Sequence, residues 1–229
     1  MGQFDYQPSY RRNLPHIQPP GATFFVTVRL AGSLPRVVVH QWNEERKWFA
    51  HLSETNPAHF ERVKADFKRA WFLKFESILD AGNCGPLWLS DQRVAAQVAE
   101  RLHYRDGKVY RLDSFSIMAN HLHVVFKPLP IAQGVNSDVQ DVLSQTLMET
   151  DATKYHSLAS IMQSLKGYTA LRANRLLFRE GEFWAHESYD HYVRDAEEWQ
   201  RIMAYVLNNP VKARYVDNWR AWKWNYRRR

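Results

Sequence analysis

The chain of 229 residues is poor in cysteine, with Cys84 as the single one. An intramolecular disulfide is therefore excluded, and so is a zinc site built from several thiolates. Such cysteine usage fits a reducing compartment. No apolar run approaches the roughly 20 residues that a bilayer-spanning helix needs. The start, Met1-Gly2-Gln3-Phe4-Asp5, lacks the basic-then-apolar order of a secretory signal. A cytoplasmic protein with no membrane partner is expected. Internal repeats, low-complexity tracts and nucleotide-binding motifs are missing as well, so no nucleotide cofactor is expected. Acidic residues are the minority charge: 24 Asp and Glu face 31 Lys and Arg, giving a net charge of +7 and a pI near 9.5. Positive potential of this kind attracts phosphate backbones and speeds encounter with them. Aromatic residues, by contrast, are abundant, with 9 Trp and 11 Tyr. Most serve as core, but aromatic faces among cations also stack unpaired bases.

The length suits one domain, and 45% hydrophobic content is enough for a core. Residues 1–21 contain Pro8, Pro15, Pro19 and Pro20 and predict an extended basic arm that offers Arg11 and Arg12 to a partner. Residues 23–30 are β-branched and aromatic, hence a strand, whereas 44–49 and 57–79 are charged and periodic, hence a helical insertion after that first strand. Ser90 or Asp91 caps a helix to about residue 103, and strands follow at 109–118 and 121–127, joined by a tight Ala119-Asn120 link. Residues 128–153 read as a loop with a short helical piece, and Ser157 opens a helix to about residue 178. Asp195-Ala196-Glu197-Glu198 reads as a capping box, with Glu198 reaching back, and Pro210 is expected to stop the helix that follows. Residues 217–229 form a basic aromatic tail ending in Arg227-Arg228-Arg229. Antiparallel strands with separate helices predict an α+β architecture around a central antiparallel sheet.

Chemistry concentrates in Asn120-His121-Leu122-His123-Val124-Val125-Phe126. In a strand, His121 and His123 point to the same face with Cα atoms roughly 6.6 Å apart, so two imidazoles can share one metal. Tyr205 and Asn209 stand at i and i+4 of a helical segment, which puts a phenol beside a carboxamide on one face. Imidazole nitrogens with an oxygen-rich remainder suit Mg²⁺ or Mn²⁺ better than a thiolate-loving metal.

At these residues the chain resembles the HUH single-tyrosine transposases, in particular the REP-associated tyrosine transposases of bacteria. The resemblance is spread over Phe24-Phe25-Val26-Thr27-Val28, the stretch 116–126, Phe183-Trp184, the stretches 189–195 and 205–213, and Trp222-Lys223-Trp224. Ala119 stands where the family usually has proline, and the chain ends soon after the tryptophan motif. The resemblance implies a ferredoxin-like HUH core, metal ligands at His121, His123 and Asn209, and a nucleophile at Tyr205. It also implies a single-stranded or hairpin DNA substrate of repeated palindromic sequence, cut through a 5′-phosphotyrosine link. Transposases of this class act as monomer or homodimer.

Plain readings stand beside each of these. The histidines can be polar residues of a half-exposed strand, Tyr205 a core aromatic, and Asn209 a helix end. Tyr168, in a basic helix, is the rival nucleophile. Arg194 and Lys212 flank the tyrosine helix and are candidates for phosphate contact, as are Arg227, Arg228 and Arg229. His186, Tyr189, Asp190 and His191 either shape the site or pack beneath it. Three other functions fit parts of the pattern: a non-catalytic nucleic-acid binder, a rolling-circle initiator or relaxase, and a metal-dependent hydrolase that activates water.

Overall fold

The computed structural model describes residues 9–11, 15–17, 19–82, 84–131 and 154–229. Strands β1 (Ser9–Arg11) and β2 (Pro15–Ile17) pair with each other at the start of the chain, where an extended arm was expected. Arg12 lies outside the described residues, as does most of the expected loop at 128–153.

The body of the fold begins with β3 (Phe24–Arg29), followed by helices α1 (Arg36–Thr55) and α2 (Pro57–Ala81). The chain breaks between them at Asn56, whose side chain accepts the His59 N–H while Pro57 fills the first helical position. This is the expected helical insertion. It is longer than the periodicity indicated, because α1 begins at Arg36 and takes in the β-branched Val37-Val38-Val39. Helix α3 (Gln92–Arg105), capped by Asp91, leads into β4 (Tyr110–Ile117) and β5 (His121–Pro128). Helix α4 (Leu158–Leu176) is capped by Ser157. The chain then adds β6 (Tyr189–Tyr192), α5 (Ala196–Lys212) and β7 (Asn225–Arg227).

Five strands form one open antiparallel sheet in the order β6-β3-β5-β4-β7. The architecture is α+β, with a central antiparallel sheet flanked by helices, open as in ferredoxin-like folds. Alternation divides the sheet. Phe24, Val26, Val28, Leu122, Val124 and Phe126 join the larger core with α3 and α4, whereas Phe25 and Val125 join Met203 and Val206 of α5 on the other side. His121 and His123 keep the parity of Val125 and so face α5. A register shift at Asp113 in β4 turns that carboxylate to the indole N–H of Trp199 at 3.1 Å.

Two local expectations are corrected. Pro210 does not stop α5 but sits inside its last turn, and the helix runs to Lys212. Proline removes one N–H and so one helical bond, which a final turn tolerates: the Ala213 N–H still reaches the Asn209 and Val211 carbonyls. Asp195 caps α5 as expected, accepting the Glu198 N–H at 2.7 Å. The Glu198 carboxylate reaches one residue further back than the capping box requires, to the Arg194 N–H at 2.8 Å.

Candidate metal centre

His121 and His123 are brought to the α5 side of the sheet by the pleat of β5 and have no exposed surface. Their Nε2 atoms lie 3.0 Å apart. Above them α2 places Glu76, also buried, with Oε2 at 3.1 Å from His123 Nε2. The ligating atoms of these three residues all lie within 4.8 Å of one another.

The hydrogen bonds of Asn120 fix which nitrogen of His121 carries the proton. The Asn120 amide nitrogen donates to the Leu79 carbonyl at 2.9 Å, so its oxygen is the atom 2.7 Å from His121 Nδ1. Amide oxygens only accept, hence His121 Nδ1 is the N–H and its Nε2 presents a lone pair. Burial pushes the His121 pKa down to about 3, with the neighbouring His123 adding to the effect and Glu76 opposing it. His121 is therefore a neutral ligand at ordinary pH. Thr27 of β3 contacts His123 Nδ1 at 2.9 Å and orients that ring with Nε2 toward the triad. Burial alone would raise the Glu76 pKa, but His123, then His121 and the Tyr205 hydroxyl, outweigh it and hold the carboxyl at about 2. Acceptor atoms thus converge on one point. Such a cluster is stable only with a proton or a cation among its members.

Helix α5 supplies the rest. Its i, i+4 spacing delivers both expected residues to the triad. The Tyr205 hydroxyl donates to Glu76 Oε2, and the Asn209 amide nitrogen lies 3.1 Å from His123 Nε2. Burial, then the Glu76 charge, pushes the Tyr205 pKa up, so the phenol is neutral in this arrangement. Asn209 Oδ1 is buried with no hydrogen-bond partner. A half-turn of that amide exchanges its two ends and directs the orphaned oxygen to the triad. The residues present therefore fit a divalent cation: two imidazole nitrogens, one carboxylate and one amide oxygen in need of a partner.

Glu76 escaped the sequence reading. Its signal was an acid on the apolar side of a helix, between Phe72 and Leu79 at helical spacing. Asn120, which sets the tautomer of His121, was read as the start of the histidine motif and part of a link, without a role of its own.

The other candidates are dispersed. Tyr168 is exposed on α4, with the Arg101 guanidinium 4.5 Å from its ring centre. Arg194 pairs with Glu198 at 2.7 Å, Lys212 pairs with Asp80 at 2.5 Å, and Arg228 pairs with Asp106. Arg227 is exposed on β7, Arg229 is exposed at the end, and Arg11 lies in β1. The terminal run is thus partly built into the sheet edge: the Arg228 N–H bonds the Asp113 carbonyl at 2.8 Å. Tyr189 packs on Phe72 at 4.5 Å between ring centres, His191 contacts Glu198 at 3.0 Å, and His186 is exposed.

No helix among the described residues is long and apolar enough to cross a membrane. No family model matches the chain. A 104-residue stretch is 32% identical to an uncharacterised protein of Haemophilus influenzae, covering 44% of this chain and 54% of that one. The chain thus spans about half the length of the curated relative it matches. Among solved structures, a REP-associated tyrosine transposase bound to a REP hairpin aligns over 94% of this chain and 80% of its own, at 12% identity and a TM-score of 0.46.

Proposed function

We propose that the protein is a metal-dependent enzyme that cuts and rejoins single-stranded or hairpin DNA, with Tyr205 as the nucleophile. One observation carries this reading: a phenol hydrogen-bonded to a carboxylate that itself belongs to a buried His/His/Glu cluster of divalent-cation type. When bound, Mg²⁺ or Mn²⁺ held by His121, His123, Glu76 and the Asn209 oxygen supplies positive charge that polarises a phosphodiester and offsets the field of Glu76 at the phenol.

The chain's own residues do the remaining work. Glu76 accepts the proton of Tyr205 as the phenolic oxygen bonds to phosphorus and the bond to the 3′ oxygen breaks. That oxygen leaves as a 3′-hydroxyl once protonated, and the 5′ side stays on Tyr205 as a phosphodiester. Attack by another 3′-hydroxyl reverses these steps and joins a new strand. The net charge of +7 and the motif resemblance support DNA as the polyanion.

In a second reading Glu76 activates water and Tyr205 only positions it, favoured by the upward push on the Tyr205 pKa. Labelled single-stranded and hairpin oligonucleotides incubated with Mn²⁺ separate the two. A denaturation-resistant adduct that is lost in Tyr205→Phe and kept in Tyr168→Phe is the expected result. Cleavage without any adduct, reduced but persisting in Tyr205→Phe, would establish the water mechanism instead.

A further inference from the structure

The buried triad has a neighbour that the chemistry above leaves unused. Beside β3 lies a cleft of about 560 Å³, walled by α2 and α1 on one side and by α4 and residues 181–190 on the other. Thr27 and Glu76 line it, and both also contact His123. The cleft therefore reaches the back of the metal centre, whose histidines have no surface of their own.

Its shape follows from the sheet edge. Strand β6 pairs with β3 only from Phe24 to Thr27, and the next bridge joins Leu30 to Trp184. Between those points the Ala185 N–H still bonds the Arg29 carbonyl at 2.9 Å, and residues 186–188 leave the sheet. They are held away from it on both flanks, by Arg46 of α1 on the Glu187 carboxylate at 2.6 Å and by Lys166 of α4 on the His186 carbonyl at 2.8 Å. The opposing wall is aromatic: Trp42 and Phe75 meet edge to face, 5.3 Å apart between ring centres and at 73°, with Trp71 beside them. Charges of both signs surround it, since Arg29, Arg46 and Lys68 line the cleft together with Glu76, Glu187 and Asp190.

We propose that this cleft receives an unpaired nucleobase of the bound strand, stacked on one ring of the Trp42–Phe75 pair with the other ring at its edge, and with its polar edge read by the arginines and carboxylates. The proposal rests on the single-stranded substrate class given above. Mixed charge along the lining argues against a site for bare phosphate, which would meet carboxylates beside the cations. A base offers a flat apolar face together with donors and acceptors on its edge, and the cleft supplies the complement of each. The volume lies within the roughly 300–1,000 Å³ usual for small-ligand clefts, enough for one nucleotide.

The test measures binding by fluorescence anisotropy with Ca²⁺ replacing Mn²⁺, so that no cutting is needed. The probe is a single-stranded oligonucleotide and a set of copies, each with one abasic position. Gly167 lies on α4 at the cleft, and a Cβ there meets nothing within 4 Å. Gly167→Phe therefore places a ring at the cleft from a position whose Cβ meets no neighbour, and unfolding curves check that packing is kept. A loss of about tenfold in affinity, the scale of one missing base stack, is expected from Gly167→Phe and from one abasic position, and the two losses should not add. Trp42→Leu should repeat the loss, with unfolding curves reporting any damage to the α1–α2 pair. Unchanged affinity in Gly167→Phe, or indifference to every abasic position, overturns the cleft assignment while leaving the metal-dependent adduct as found. Absence of any oligonucleotide binding overturns both readings, and the adduct assay shows which failed first.

Discussion

At the residue scale, the triad is defined by where protons are forbidden. Asn120 forces the His121 N–H onto Nδ1, and the same amide is anchored by the Leu79 carbonyl of α2. Asn120→Ala should leave His121 in place but release its tautomer, weakening metal affinity about 10-fold or more, the usual scale for loss of such a supporting partner. Isothermal titration with Mn²⁺ reads this directly, and unaltered affinity would mean that the imidazole needs no such orientation. Glu76→Gln removes both the charge and the proton acceptor for Tyr205 while keeping the shape of the side chain. Adduct formation should fall at least ~100-fold, and Mn²⁺ affinity should fall with it. His121 and His123 were legible in the sequence because strand parity needs only two positions. Glu76 was not, because its register against the sheet is set by contacts between α2 and β5 that no local pattern encodes.

At the element scale, the strands β3, β4 and β5 and the caps of α3, α4 and α5 were legible from alternation and from Asp or Ser at helix starts, whereas the Asn56 cap of α2 was not read. The short edge strands β6 and β7 were not, since three or four residues carry too little pattern to separate strand from loop. The start of α1 was hidden by its valines, which favour strands in isolation. One turn before α3 makes a sharp demand. Gly85 has φ +75°, and a Cβ built on it would sit 2.1 Å from the Gly32 carbonyl oxygen. Gly85→Ala must therefore push two backbone segments apart as well as adopt a left-handed conformation. A loss of at least about 2 kcal/mol in denaturant unfolding is expected, and a loss within ~0.5 kcal/mol would mean that the two loops move apart freely.

At the scale of the whole molecule, the buried ionisable groups predict how stability responds to acid. His121 is lowered from 6.5 to about 3, so the unfolded chain takes up a proton below pH 6.5 that the folded chain refuses until about pH 3. Glu76 and Glu198 are each lowered from 4.5 to about 2, which adds to proton uptake on unfolding between those values. In every case the unfolded state binds more protons, so stability falls with falling pH. The metal-free protein should lose stability from pH 6.5 downward and faster below 4.5, as read from urea midpoints. His121→Gln should flatten the segment between 6.5 and 4.5; an unchanged slope there would mean that His121 already carries a proton in the folded state. The net charge of +7 further predicts that oligonucleotide affinity falls steeply between ~50 and ~200 mM salt, as counterion release requires.

The metal centre is assembled from α2, β5 and α5, with Glu76 and Tyr205 separated by 129 positions and His123 and Asn209 by 86. No contiguous piece of the chain holds a working half of it. A nascent chain that has emerged as far as β5 carries both histidines but neither the phenol nor the carboxamide. A product truncated before α5 is equally inert however well its sheet forms. On the proposed function, cutting is thereby withheld until synthesis has passed Asn209 and the last long helix has docked on the sheet. If the proposed function holds, incomplete copies cannot cut DNA, because only the chain through α5 assembles the site.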